Sequence, residues 1–383
     1  MSSFSPKRLP RVRALLERLV ESGLAPGLVA VLARHGEVHV EATGSLAFQG
    51  PGSRTPMAGD TIVRMASMTK PIVAACAMTL VEDCTLRLDD PVDEFLPELA
   101  GMRVLADPAG PLDDTVPAAR PITLRDLLAF TLGTGMVLDE SPIAAARNTL
   151  GEPPLDEWVS RLGALPLVHQ PGERWMYETG ADVTGALIQR ATGKPFGEAL
   201  RERVFDPLGM KDTAFSVLPE NLSRFATAYV AGDAPTVDDA PDGMWSSPPA
   251  FEGGGGGLVS TADDFYAFAT ALHSGGGAIL SRPSVTLMTS DHLTPAQKAV
   301  SGFWPGYFSD VSWAFGMNVR TRRTHIGPSV GTYGCPGLYG TAWYNDPAED
   351  LTSVIIMQRA HAGDQRLPLW NDIWTTVYQA IAD

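Results

Sequence analysis

The sequence predicts an α+β fold, in which an antiparallel β-sheet flanked by helices carries a second, mostly helical domain. Three observations lead there. Strand-like apolar patterning appears near both chain ends, at residues 26–48 and again at 313–319, 338–345 and 351–358. Between them, up to about residue 215, proline-punctuated loops alternate with helical spacing. A helical stretch also stands at each terminus. Strands drawn from both ends must meet in one sheet, and the helical middle then forms a separate body. The expected division is a sheet domain of residues 1–62 and 215–383 and a helical domain of residues 63–214, with a cleft between them.

The elements follow in order. Leu9, Val12, Leu15, Leu16 and Leu19 recur at helical spacing in an arginine-rich stretch, which gives the first helix. Residues 28–32 and 38–42 flank a turn at His35-Gly36 and read as a hairpin. From residue 69 to about 83 the spacing turns helical. Pro71 falls in the first turn, where its missing N–H costs nothing. Further helical stretches cover 123–130, 155–162, 181–192 and 196–204. A five-glycine run, 253–257, then leads into a helix from about 262 to 273. Thr261, with Asp264 three residues on, marks its start. A last helix spans about 369–381.

Composition excludes several function classes. The chain has 44 acidic against 29 basic residues, a formal net charge of -15, which argues against a nucleic-acid partner. The longest apolar run, 71–81, is about half the roughly 20 residues that span a bilayer, so no membrane partner is expected. The polar and arginine-rich N-terminal residues lead to the expectation that no signal peptide is present. Cys76, Cys84 and Cys335 cannot pair completely and show no metal spacing, which points to a reducing, cytoplasmic setting. His35 and His39 are four apart but on a hairpin, so no metal is expected. The glycine run has no Gly-Lys-Ser/Thr ending, so it is a close-approach turn and not a phosphate loop. There is no Gly-x-Ser-x-Gly elbow. Only five of the 29 basic residues are lysines, so each can be weighed singly.

Three segments carry chemistry. In Ser67-Met68-Thr69-Lys70, one helical turn brings the Ser67 hydroxyl and the Lys70 amine to one face. A desolvated lysine there has a depressed pKa and relays the hydroxyl proton; the alternative is a helix cap followed by a surface lysine. Tyr177 follows a Pro171-Gly172 turn and precedes a helix, either as a catalytic phenol or as a buried aromatic. Gly337 and Gly340 border a strand, either to let a peptide N–H meet a substrate oxygen or as a bulge. His325 and the aromatic stretch 303–308 read as a packed surface loop rather than a pocket wall.

In this order the segments resemble the serine β-lactamase and penicillin-binding-protein superfamily, specifically its class C-like esterase branch, the family VIII carboxylesterases. The likeness extends over Arg64-Met65-Ala66-Ser67-Met68-Thr69-Lys70-Pro71, Ile122-Thr123-Leu124-Arg125-Asp126-Leu127-Leu128 and Gln170-Pro171-Gly172-Glu173 leading to Tyr177. It continues through Phe205-Asp206-Pro207-Leu208-Gly209-Met210-Lys211-Asp212-Thr213 and residues 254–264. The resemblance implies a β-lactamase/transpeptidase-like fold. It also implies Ser67 as acylated nucleophile, Lys70 as proton relay, Tyr177 as general base, and an oxyanion hole from the backbone N–H groups of Ser67 and Leu338. Thr179, Cys335, Gly337 and Tyr339 are the substrate-binding candidates. No cofactor is implied, and the partner is a small-molecule ester or acyl donor.

Two departures matter. Thr179 stands where lactamases carry the asparagine of Tyr-x-Asn, and Cys335-Pro336-Gly337 stands where they carry Lys-Thr-Gly. The lost cation and amide count against lactam hydrolysis. The expected activity is ester hydrolysis through an acyl-serine; the alternatives are acyl transfer to an alcohol or amine, a lactamase or D-amino-acid peptidase, and a non-catalytic module.

Overall fold

The computed structural model describes residues 3–382 apart from 138, 231, 233 and 361–365. Its main sheet has seven strands: β1 (Gly27–Arg34), β2 (Glu37–Gly44), β3 (Val311–Trp313), β4 (Asn318–Arg320), β5 (Tyr333–Pro336), β6 (Ala342–Asp346) and β7 (Leu351–Ile356). Their order is β2-β1-β7-β6-β5-β4-β3, antiparallel throughout, so the two chain ends join along β1 and β7. His35 and Gly36 both have positive φ, 49° and 78°, which suits the twist of the two-residue hairpin turn between β1 and β2.

The alternation within β1 explains the layering. Leu28, Ala30 and Leu32 face α1 (Pro10–Glu21) and the C-terminal helix Arg366–Tyr378, where Leu15, Leu16, Ile373 and Val377 pack on them. Val29 and Val31 face the other way, into a core shared with α2 (Thr69–Glu82) and with the helix Ala262–His273. Eleven of the 14 residues of α2 are buried, so the apolar run seen in the sequence belongs to a helix enclosed on all sides. Among the described residues no helix is long and apolar enough to cross a membrane.

Three sequence expectations need correction. The run 313–319 is not one strand. The chain reverses within it, with the Ala314 N–H donating to Met317 O at 2.8 Å and Gly316 at φ 70°; Phe315 and Met317 are apolar because they are buried in the turn. Likewise residues 337–340 form a turn rather than the start of a strand, and β5, rich in glycine, cysteine and proline, had no strand signature. The last helix also begins earlier, at Arg366.

The helical middle is tied together by motifs of the sequence. Thr123 and Asp126 form a capping box at the start of α3 (Leu124–Leu128). Asp126 also takes a two-pronged hydrogen bond from Arg120 at 2.6 and 2.8 Å and one from the Thr131 hydroxyl at 3.1 Å. The Thr131 carbonyl accepts from the Gly172 N–H at 2.7 Å, and the Phe130 carbonyl from the Met176 N–H at 2.8 Å. The segment leading to Tyr177 is thereby anchored to α3. In the same way Thr213 and the Asp212 N–H bind the Asp264 carboxylate, at 2.9 and 2.7 Å, fixing the 205–213 segment to the helix that follows the glycine run.

Candidate active site

Ser67 lies in a single 3-10 turn, Ala66–Met68, that runs straight into α2. A short ladder, Val63–Arg64 against Val259–Ser260, delivers the chain to it. Ala66 has φ 47°, in the left-handed region that a side chain disfavours, and such strain clusters at functional turns. The turn is held from behind. Arg64 is fully buried, ion-paired with Asp239 and seated over the Phe225 ring at 3.9 Å.

Three sequence-predicted groups converge on one atom. Lys70 Nζ donates to Ser67 Oγ at 2.9 Å, and the Tyr177 hydroxyl donates to the same oxygen at 2.6 Å. Ser67 and Tyr177 are half-buried, whereas Lys70 is only 1% exposed. The spacing of three between Ser67 and Lys70 does what a helical turn should do.

Lys70 has two further partners that sequence reasoning missed: the Glu178 carboxylate and the Gly255 carbonyl, the latter at 2.5 Å. Glu178 immediately precedes α4 (Thr179–Thr192), and Asp182 lies one turn on, its carboxylate accepting the Gly255 N–H at 2.8 Å. A Cβ on Gly255 would come within 3.2 Å of Glu178 Oε2 and 3.3 Å of the Asp182 carboxylate, so the glycine run is the close-approach turn that was expected. The acid spacing of four, at the head of a helix next to Tyr177, was the available signal.

The electrostatics correct one expectation. Burial pushes the Lys70 pKa down, but the negative charge of Tyr177 when ionised and of the Glu178 carboxylate more than offsets it, and the net shift is upward. Lys70 is therefore an ammonium in the resting site, not a depressed amine. Burial raises the Tyr177 phenol despite the opposing Lys70 cation, so Tyr177 rests as a hydrogen-bond donor. Burial, with Glu178 nearby, pushes the Asp182 carboxyl up to about 7.

The substrate-binding candidates are placed as follows. The Thr179 side chain is buried and accepts from Arg147 Nη2 at 2.6 Å, while Arg147 Nη1 donates to the Thr134 hydroxyl at 2.6 Å. The Cys335 thiol is buried and donates to the Ser67 carbonyl at 3.1 Å. A Cβ on Gly337 would lie 2.5 Å from the Met65 carbonyl, so only glycine lets the chain leaving β5 run this close to the turn that carries Ser67. Tyr339 is buried with its hydroxyl on Asp238 at 2.5 Å, and Leu338 is largely exposed. The stretch 303–308 does not pack as an independent surface loop: the Phe303 ring lies 5.2 Å from Tyr177 and 5.3 Å from Trp175, both edge-to-face. His35 and His39 instead bond Asp350 and Glu41, at 2.6 and 2.9 Å.

Residues 12–374 match the Beta-lactamase family model. The chain belongs to the beta-lactamase family. Within it, the chain is 38% identical over 360 residues to protein Rv1367c of Mycobacterium tuberculosis, covering 90% of this chain and 89% of the relative. It is 31% identical over 379 residues to the esterase EstB of Burkholderia gladioli, covering 92% and 91%. Among solved structures it is similar to EstCE1, described as a hydrolase with promiscuous acyltransferase activity: TM-score 0.80, 26% identity, 97% of this chain and 99% of the other. The antiparallel sheet with flanking helices is the architecture of these beta-lactamase-family neighbours.

Proposed function

We propose that the protein is a serine esterase of the beta-lactamase family that cleaves carboxylic esters through an acyl-Ser67 intermediate. The observation that carries this reading is the meeting of Lys70 Nζ and Tyr177 OH on Ser67 Oγ, at 2.9 and 2.6 Å. Membership in the beta-lactamase family and the likeness to EstB and EstCE1 support it.

Ser67 Oγ attacks the acyl carbon, and Tyr177, acting in its phenolate form after its own proton has gone to solvent, takes the Ser67 proton as general base. The Lys70 ammonium, 4.4 Å from the Tyr177 ring centroid, lowers the cost of the phenolate this requires. The backbone N–H groups of Ser67 and Leu338 bind the developing oxyanion. Tyr177 then hands its proton to the leaving alkoxide and later activates the water that frees Ser67. Residues 1–62 with 215–383, and residues 63–214, are the two bodies that frame the cleft. The three cysteines without disulfides suit a cytoplasmic setting.

The substrate is a neutral ester with an apolar group. Where lactamases hold a cation, the buried Cys335 thiol supplies none, and Thr179 is taken up by Arg147. Phe303 and Trp304 are 37% and 55% exposed, and Met136 and Leu338 are 44% and 56% exposed. Phe303 abuts Tyr177, Met136 donates its N–H to the Tyr177 carbonyl, and Leu338 follows the strand packed on Ser67, so these residues rim the nucleophile with apolar surface.

Acyl transfer to an alcohol or amine is the second reading, favoured by the transferase activity described for EstCE1. Hydrolysis of nitrophenyl esters by the wild type and by Ser67→Ala tests the reading. Loss of turnover in Ser67→Ala is expected, and activity near wild type would overturn it. Products formed with a competing amine or alcohol present separate hydrolysis from transfer.

A further inference from the structure

Two short segments supply the N–H groups of the proposed oxyanion hole, and side chains join them directly. One is the turn that carries Ser67; the other leaves β5 and carries Leu338. Two donors serve one oxyanion only if the gap between their segments is held, since both must meet the same atom in the transition state. We infer that Thr341 and Cys335 are the positioning residues that hold this gap, by pinning the Leu338 turn to the carbonyls of Met65 and Ser67. This inference rests on the esterase reading and adds two roles to it.

The Leu338 turn is first closed on itself. The Gly337 N–H donates to the Thr341 carbonyl at 2.7 Å and the Gly340 N–H to the Gly337 carbonyl at 3.2 Å, so neither closing bond uses the Leu338 N–H. The Thr341 side chain is fully buried, and its hydroxyl donates to the Met65 carbonyl at 3.2 Å. A Cβ on Gly337 would lie 2.0 Å from that hydroxyl oxygen, so glycine at this position leaves room for the pin. One residue thus closes its own turn with its carbonyl and ties it to the nucleophile turn with its hydroxyl.

The second pin fills a gap written in the sequence. Continued helical bonding would give the Ser67 carbonyl the N–H of the residue four on, and that residue is Pro71, which has none. The Cys335 thiol, 1% exposed, donates to this carbonyl from β5 at 3.1 Å. A thiol is a weak donor, so Thr341 is the stronger pin. Cys335 stands three residues before Leu338 and Thr341 three after it, so the N–H is fixed from both sides. One dipeptide backs both turns. The Gln358 side-chain amide binds the Arg64 N–H and carbonyl at 3.0 and 3.2 Å, and the Arg359 N–H donates to the Tyr339 carbonyl at 3.0 Å.

The test is single-turnover acylation by nitrophenyl acetate, read as nitrophenol released, in wild type, Thr341→Val and Thr341→Ser. It is paired with the affinity for a trifluoromethyl ketone, whose adduct with Ser67 bears an oxyanion. Valine keeps the shape and loses the hydroxyl; serine keeps the hydroxyl. For Thr341→Val the maximal acylation rate should fall about 10- to 100-fold while the half-saturating concentration changes less than about twofold, because the hole acts on the transition state and not on the bound ester. Ketone affinity should fall in the same proportion, and Thr341→Ser should recover most of both. A merely structural role would not move ketone binding in step with the rate. The inference is overturned by a Thr341→Val enzyme as fast as wild type, by a slowed one that binds the ketone normally, or by a Thr341→Ser enzyme as slow as the valine variant. If circular dichroism shows Thr341→Val unfolded, Cys335→Ala decides: acylation and ketone affinity should fall together by about three- to tenfold, and failure to fall together overturns the inference. A wild type with no Ser67-dependent ester hydrolysis overturns the esterase reading and this inference with it, whereas an unaltered Thr341→Val in a Ser67-dependent enzyme overturns this inference alone.

Discussion

The Tyr177 hydroxyl lies 2.6 Å from Ser67 Oγ although the two residues are 110 apart in sequence. Neither residue sets that distance. Ser67 is placed by a strained turn at the head of a buried helix, and Tyr177 by the anchoring of its segment to Phe130, Thr131 and α3.

Tyr177→Phe removes the hydroxyl and keeps a ring whose edge-to-face contacts with Phe130, Trp313 and Phe303 remain. The folded state should be unchanged by circular dichroism, and kcat/KM for ester hydrolysis should fall by roughly 100- to 10,000-fold. A loss under tenfold would remove Tyr177 from the proton path.

Lys70→Arg keeps a cation beside Glu178 but forces a larger, planar guanidinium into a sealed site where a compact ammonium meets Ser67 Oγ at 2.9 Å. Acylation measured by release of the alcohol in a single turnover should drop at least about 1000-fold. Near-normal acylation would mean that any cation serves there and that the Lys70 contact with Ser67 Oγ is dispensable.

The apolar rim makes a prediction about specificity. Phe303→Ala should raise KM for aryl esters roughly five- to tenfold, from the loss of one aromatic contact, and change KM for methyl acetate little. Equal effects on both substrates would place the bound group elsewhere.

Asp182 supplies a pH test of stability. Its carboxyl is raised from 3.8 to about 7, first by burial, so the contribution it makes to the fold is full below its unfolded pKa and is lost as pH rises through about 7. Asp182→Asn cannot titrate. The difference in Tm, variant minus wild type, should therefore widen by several degrees between pH 5 and pH 8. Parallel curves would mean that Asp182 stays ionised throughout.

Thr123→Ala should cost about 1 kcal/mol, because the hydroxyl caps α3 and bonds Asp126. Denaturant unfolding measures this, and KM should stay near wild type because the Thr123 hydroxyl bonds Asp126 rather than Ser67, Lys70 or Tyr177.

The sequence made Ser67, Lys70 and Tyr177 visible because local spacing and turn chemistry mark them: a serine and lysine one turn apart, and a tyrosine after Pro171-Gly172. The hairpin at His35-Gly36 and the cap at Thr261 were visible for the same reason. Glu178 and Gly255 were not. Their contact with Lys70 joins three segments distant in the chain, and no single window carries it. The charge state of Lys70 was misjudged on the same ground, since burial alone lowers a lysine and the charges brought to it by the fold, of Tyr177 first and then of the unseen Glu178 carboxylate, reverse the sign. The 313–319 run failed for a different reason. Burial in a turn and burial in a strand leave the same apolar letters. The aromatic stretch 303–308 contacts Tyr177 and Trp175 from more than 120 positions away, which periodicity cannot register.

The most direct test of the central claim is the intact mass of the protein after brief exposure to an activated ester that deacylates slowly, followed by peptide mapping. The account predicts a single adduct with the mass of the acyl group, located on Ser67 and absent from Ser67→Ala. Turnover of the ester without any adduct on Ser67, or the same adduct in Ser67→Ala, would contradict it.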